Sequence, residues 1–267
     1  MNIQDILGNQ NELPLERTAV NGGFCGIFRT VACIGDSLSS GEFESFAHGA
    51  PGYHDYFDYS WGQFLARDAG LTVYNFSKGG MTARDYDAFA RGMGYYDDEK
   101  KARAYIIALG VNDVSQVLNG QIDFGGIEDI DAEDFGKNKP TFAGYYAAII
   151  ARYQLISPKA KFFLVTCPRT GEENERQALY DRHAELMRQL AGRFPCCYTI
   201  DLRRYGPVYD EEFRRNFFLG GHLNAAGYRL TALMIESYLD YIIRHNMGDF
   251  KQIGFVGTPY HNANEKW

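Results

Sequence analysis

Four short stretches of this 267-residue chain set reactive side chains beside glycines: GDSL at 35–38, NFSKGGMT at 75–82, GVND at 110–113 and LGGH at 219–222. A serine hydroxyl such as that of Ser37 is a weak nucleophile until a neighbouring base takes its proton. A neutral imidazole, here His222, is the base suited to neutral pH. Attack on a carbonyl carbon then leaves an oxyanion that needs fixed hydrogen-bond donors. A backbone amide beside Gly79 or Gly80 and the carboxamide of Asn112 would supply them without competing for protons. Together these groups could carry out acyl transfer. Taken singly, each has a plainer use: Ser37 as a helix cap, Asn112 as a turn residue, His222 as a loop histidine, the glycines as sites of positive φ.

Such groups can act together only if the fold brings four loops to one place. Apolar runs at 28–35, 71–77, 104–110, 161–167 and 197–202 read as strands. Helical spacing marks 60–70, 141–156, the stretch holding Leu179, Leu186, Met187 and Leu190, and a last helix from Asn224, a good N-cap, to about Asn246, with Gly248 placed to end it. Nearly continuous apolar strands alternating with helices imply a parallel sheet buried on both faces. The expected architecture is a single three-layer α/β/α domain with a five-stranded parallel sheet. Its core spans about 28–247, flanked by an N-terminal extension (1–27) and a polar tail (248–267). In such sheets sites form beyond the carboxyl ends of the strands, and the four stretches follow strands or precede the last helix. The polar tail and two further segments stand outside the rhythm. Residues 43–61 carry seven aromatics and read either as a loop folded on its own side chains or as a substrate wall. Residues 113–140 are acidic and long enough to form a lid.

Composition narrows the function. The formal net charge is −7 with no basic block, which argues against nucleic-acid and anionic-membrane partners. No stretch is apolar enough for a membrane span, and the first twenty residues show no leader pattern. Five cysteines lack metal-ligand spacing, so a reduced cytoplasmic setting is expected. His48, His54 and Asp55 lack the spaced partners a metal site needs. His183, His245 and His261 read as solvated or capping groups, and Asp36 and Asp113 as residues that shape their turns.

With these four blocks in this order, the sequence resembles the SGNH hydrolases, also called the GDSL esterase/lipase family, from about residue 30 to 230. The resemblance implies a flavodoxin-like SGNH hydrolase fold. It makes Ser37 the nucleophile, His222 the general base, and the amides of Ser37 and Gly80 with Asn112 the oxyanion hole, Gly79 being the other register. It implies a cofactor-free and metal-free serine esterase acting on a small-molecule ester: an acetylated sugar, a small acyl ester or a lipid-like ester.

One position departs from the family. Its last block is DxxH, and Leu219 stands where the acid belongs. Loss of that acid costs a serine protease about 10⁴ in turnover. Asp210, Glu211 or Glu212 could reach back to the imidazole, or a backbone carbonyl could accept its Nδ1 proton. The alternatives in function are a non-catalytic carbohydrate- or acyl-binding protein with an eroded triad, and an acyltransferase. A nucleotide-binding flavodoxin-like domain is disfavoured, since the sequence has no glycine-rich phosphate fingerprint.

Overall fold

The computed structural model describes residues 2–8, 10–46, 49–50, 52–131 and 133–260. Nine strands are present among them: β1 (Thr30–Gly35), β2 (Glu42–Ser45), β3 (Gly52–Asp55), β4 (Thr72–Asn75), β5 (Ala104–Ala108), β6 (Lys161–Val165), β7 (Cys197–Ile200), β8 (Phe218–Leu219) and β9 (His222–Leu223). Five form one sheet in the order β4-β1-β5-β6-β7, and every neighbouring pair in it is parallel. The register sets Cys33 opposite Ile106 and Ile106 opposite Phe163. The chain runs from β1 outward to β4, then returns to the other side of β1 with β5. That reversal opens a crevice at the carboxyl end of β1, where open α/β sheets bind ligands.

Alternate residues of each strand enter different cores. Ala32, Ile34, Tyr105, Ile107, Phe162 and Leu164 pack under the helices Ala83–Gly92, Phe142–Ile156 and Glu175–Arg193. Val31, Cys33, Ile106, Phe163 and Val165 pack under Trp61–Ala69 and the last long helix, Ala225–His245. Both faces are therefore dry, as the apolar runs required. The last helix is capped by the Asn224 side chain, which accepts from the Gly227 amide at 2.9 Å. It ends at His245 with Asn246 as C-cap, and Gly248 lies inside a further short helix, Met247–Phe250, instead of terminating the long one.

One expectation changes. Residues 113–140 form no lid: the helix Val111–Leu118 leads into two 3₁₀ turns, and Phe124 and Ile130 are buried in the core. The N-terminal segment packs closely on the last helix, with Cys25 and Phe28 buried and the Phe24 amide bonded to Asp240 at 2.9 Å. Among the described residues no helix is long and apolar enough to cross a membrane. His48 and His261 lie outside the described residues.

Candidate active site

Ser37 opens a one-turn helix, Ser37–Ser40, directly beyond β1. Asp36 caps it, its Oδ1 accepting from the Leu38 amide at 3.0 Å, so this carboxylate shapes the turn as expected. Burial raises the Asp36 carboxyl to about 6. The buried Tyr228 hydroxyl reaches from the last helix to the Ser37 carbonyl (3.2 Å) and the Glu42 carbonyl (2.7 Å), fixing the turn against β2.

The second and third loops are tied to each other and to the first. The Lys78 amide donates to the Gly35 carbonyl at 3.2 Å, and Asn112 Nδ2 donates to the Met81 carbonyl at 3.2 Å. Asp113 is buried beneath them. Its Oδ1 accepts from the Ala83 amide at 2.8 Å, and desolvation raises its carboxyl to about 7. Gly80 has φ +73° with open space where a Cβ would sit, a conformation that favours glycine. Gly79 is constrained by contact instead: a Cβ there would lie 2.2 Å from Glu42 Oε2.

His222 begins β9, whose two-residue pairing with β8 sets Leu219 opposite it. Leu219 is half exposed and offers no charge. The partners of the imidazole come from β2. Glu44 Oε1 lies 3.2 Å from Nδ1, and Glu44 Oε2 accepts from the Gly221 amide at 2.7 Å. Glu42 Oε1 lies 3.1 Å from Nε2. Residues two apart on a strand point to one face, so both carboxylates face one ring. Gly220, at φ +68°, leaves room for Glu44: a Cβ there would collide with its carboxylate. The Tyr53 ring stands edge-on to the imidazole at 5.6 Å.

The structure does not bring the segment 210–212, offered above as a source of the orienting acid, to the imidazole. Asp210 caps the helix Glu211–Phe217 through the Phe213 amide (2.9 Å), Glu211 pairs with Arg215 (3.3 Å), and Glu212 is exposed on the same helix. Among the described residues Nδ1 meets the Glu44 carboxylate and no carbonyl. In the sequence Glu42 and Glu44 stand at alternate positions in GEFES (41–45), just after the Ser37 turn and far from the histidine beside which the family places its acid.

Among the described residues no hydrogen bond joins Ser37 to His222; Nε2 is engaged by Glu42 instead. Catalytic hydrogen bonds often form only once substrate is bound.

The aromatic stretch is a β2–β3 hairpin followed by a 3₁₀ turn. Phe43 packs against Tyr56, Tyr59 and Tyr228, while Phe46, Tyr53, Tyr56 and Tyr59 are largely exposed. His54 bonds Ser45 (2.9 Å) and Asp55 accepts from Ser40 (2.6 Å), so both hold the hairpin. No group of three metal-ligating side chains occurs among the described residues. His183 is not solvated. It is fully buried with Nε2 at 2.9 Å from the Leu109 carbonyl, and burial lowers it to about 4.

A serine on the turn at the switch point of a parallel sheet covered on both faces, with an imidazole just before the last long helix, is the arrangement of a hydrolase-type α/β domain. The chain belongs to the GDSL-like Lipase/Acylhydrolase family, whose model matches residues 33–230. No curated protein matches the sequence. Among solved structures, an acetyl xylan esterase, AlAXEase, is 20% identical with a TM-score of 0.53 over 78% of this chain and 98% of its own. A family two carbohydrate esterase from Clostridium thermocellum, in complex with cellohexaose, is 17% identical with a TM-score of 0.57 over 89% of this chain and 66% of its own. A carbohydrate esterase family 2 enzyme with a carbohydrate-binding domain from Corynascus thermopiles is 17% identical with a TM-score of 0.52, over 82% of this chain and 67% of its own. At these identities the likeness is one of fold.

Proposed function

We propose that the chain hydrolyses carboxylic esters through an acyl-enzyme on Ser37, with His222 as general base and Glu44 as its orienting acid. The observation that carries this reading is the two-point hold of Glu44 on Nδ1 of His222 and on the Gly221 amide. It restores, from another part of the chain, the carboxylate that Leu219 lacks, and so argues against an eroded triad. In the first half-reaction Nε2 takes the Ser37 proton as the Oγ–carbonyl carbon bond forms. The amides of Ser37 and Gly80 and the Asn112 carboxamide bind the oxyanion. The carbon–oxygen bond to the alcohol then breaks, and the alcohol leaves with the proton held on Nε2. Water, deprotonated by the same nitrogen, releases the acid. For either step the Glu42 carboxylate must first leave Nε2.

The alcohol side of the substrate is read from the company the fold keeps. Relatives described as carbohydrate esterases, together with the exposed rings of Tyr53, Tyr56 and Tyr59 beside the site, support an acylated saccharide. Fluorophosphonate labelling of Ser37, absent in Ser37→Ala, tests the nucleophile, and hydrolysis of p-nitrophenyl esters tests the activity. Equal labelling of the alanine variant would remove Ser37 from the role. Asn112→Ala should lower kcat about 10²–10³-fold with little change in KM, as loss of one oxyanion donor does elsewhere.

A further inference from the structure

The Glu42 carboxylate spans the place where an ester would have to react. Its Oε1 lies 3.1 Å from Nε2 of His222, and its Oε2 lies against the second loop, where a Cβ on Gly79 would come within 2.2 Å of it. A substrate carbonyl held between Nε2 and the Gly80 amide must take that space. The stem of Glu42 is fixed, because the Tyr228 hydroxyl holds its carbonyl (2.7 Å) together with that of Ser37 (3.2 Å). Only the side-chain torsions of Glu42 can move the carboxylate, so on leaving Nε2 it stays at the rim of the site. It is poorly provided for there. The side chain is 15% exposed, and among the described residues it pairs with no lysine or arginine, only with the imidazole. Asp55, opposite Glu42 across the hairpin, and Glu44 carry the same charge. Burial raises the Glu42 carboxyl above its ordinary range; the imidazole opposes this shift and those two carboxylates add to it. A displaced carboxylate with so little water is costly unless a new donor meets it. An ester without a donor offers none, and an anionic ester adds repulsion. A free hydroxyl beside the ester supplies the donor.

We infer that Glu42 is a specificity residue: its carboxylate accepts a hydrogen bond from a hydroxyl next to the ester group, as in a partly acylated saccharide. In doing so it leaves Nε2 free to take the Ser37 proton. The substrates preferred are thereby esters of polyols that keep a free neighbouring hydroxyl, over isolated esters and fully acylated ones. This rests on the hydrolase reading and adds to it the feature by which the alcohol half is recognised. For an ester with no donor Glu42 is only an obstacle, so its loss helps such esters and levels the difference. One hydrogen bond to a carboxylate sets the preference at about tenfold or more in kcat/KM.

The test is the ratio of kcat/KM for ethylene glycol monoacetate to that for its methyl ether, measured alongside fluorophosphonate labelling of Ser37. The two esters differ in a single hydroxyl donor, and the native protein should favour the hydroxyl ester about tenfold. Glu42→Ala should bring the ratio close to one, chiefly by raising the rate on the methyl ether, while Ser37 still labels. Glu42→Gln, with the same size and a neutral acceptor, should give a ratio between the two, which guards against a packing defect in the alanine variant. A native ratio near one, labelling without turnover of either ester, or a ratio unmoved in both variants would overturn recognition by Glu42 and leave Ser37 as the nucleophile. Failure of native Ser37 to label, with neither ester hydrolysed, would overturn both.

Discussion

Glu42 and Glu44 stand on one strand face and meet opposite nitrogens of a single imidazole, so their substitution should move the reaction in opposite directions. Glu44→Gln keeps the shape and removes the charge that steadies the imidazolium. Turnover of a short-chain ester should fall by about 10² or more, as loss of the orienting acid does in serine proteases. Asp210→Asn, Glu211→Gln and Glu212→Gln should each stay within a few-fold of the native rate. A large loss at any of these three, with none at Glu44, would return the acid to that segment. Glu42, in contrast, holds the nitrogen that must receive the Ser37 proton. Glu42→Ala frees it, and Ser37 should react with a fluorophosphonate about tenfold faster, the equivalent of one hydrogen bond to a charged group. Slower labelling would mean that Glu42 assists the base.

Among elements, the sheet was legible because burial on both faces leaves a run such as VACIG without alternation, and the long helices because their inward residues are large. The helix Ala83–Gly92 was not, since its buried residues are Ala83, Tyr86 and Ala90 among charges. The β2–β3 hairpin was hidden by its aromatics, which suggest a collapsed loop as readily as paired strands. With it was hidden the origin of both carboxylates. The helix Val111–Leu118 carries a further consequence. Asp113 is held at about 7 by burial, so between roughly pH 4 and 7 the folded chain binds more protons there than the unfolded chain. Stability from this group is therefore lost as pH rises across that window. Buried His183, lowered to about 4, has the opposite slope between its ordinary value and that point. The net profile mixes these with other buried groups such as Asp36, raised to about 6, so the readout is a difference. Native Tm minus Asp113→Asn Tm should decrease from pH 4 to pH 7. A pH-independent difference would show that Asp113 does not titrate there.

At the scale of the whole molecule, the N-terminal segment is joined to the last long helix through Arg244. Its guanidinium donates to both Glu12 carboxylate oxygens (2.8 and 2.6 Å), to Asp240 at 2.7 Å and to the Leu7 carbonyl. The Arg244 side chain is only 2% exposed and that of Glu12 9%. The cluster was not legible in the sequence, because the polar stretch NQNELPLER gives no sign that its acid has a partner more than two hundred residues away. Its placement matters for the site, since the same helix carries Tyr228, which pins the Ser37 turn, at its other end. A buried cation that loses one of two carboxylate partners is left with uncompensated charge, and breaking such a pair costs several kcal/mol. Because Asp240 remains, Glu12→Gln should cost less, about 2–3 kcal/mol, the range of a hydrogen bond between charged groups. For a chain of this size that corresponds to a fall in Tm of roughly 5–10 °C. Glu99→Gln, on an exposed turn, should shift Tm by no more than about 2 °C. Thermal melts of the three proteins at neutral pH measure the effect, and equal melting of Glu12→Gln and the native chain would show that the N-terminal segment is held by its apolar contacts alone.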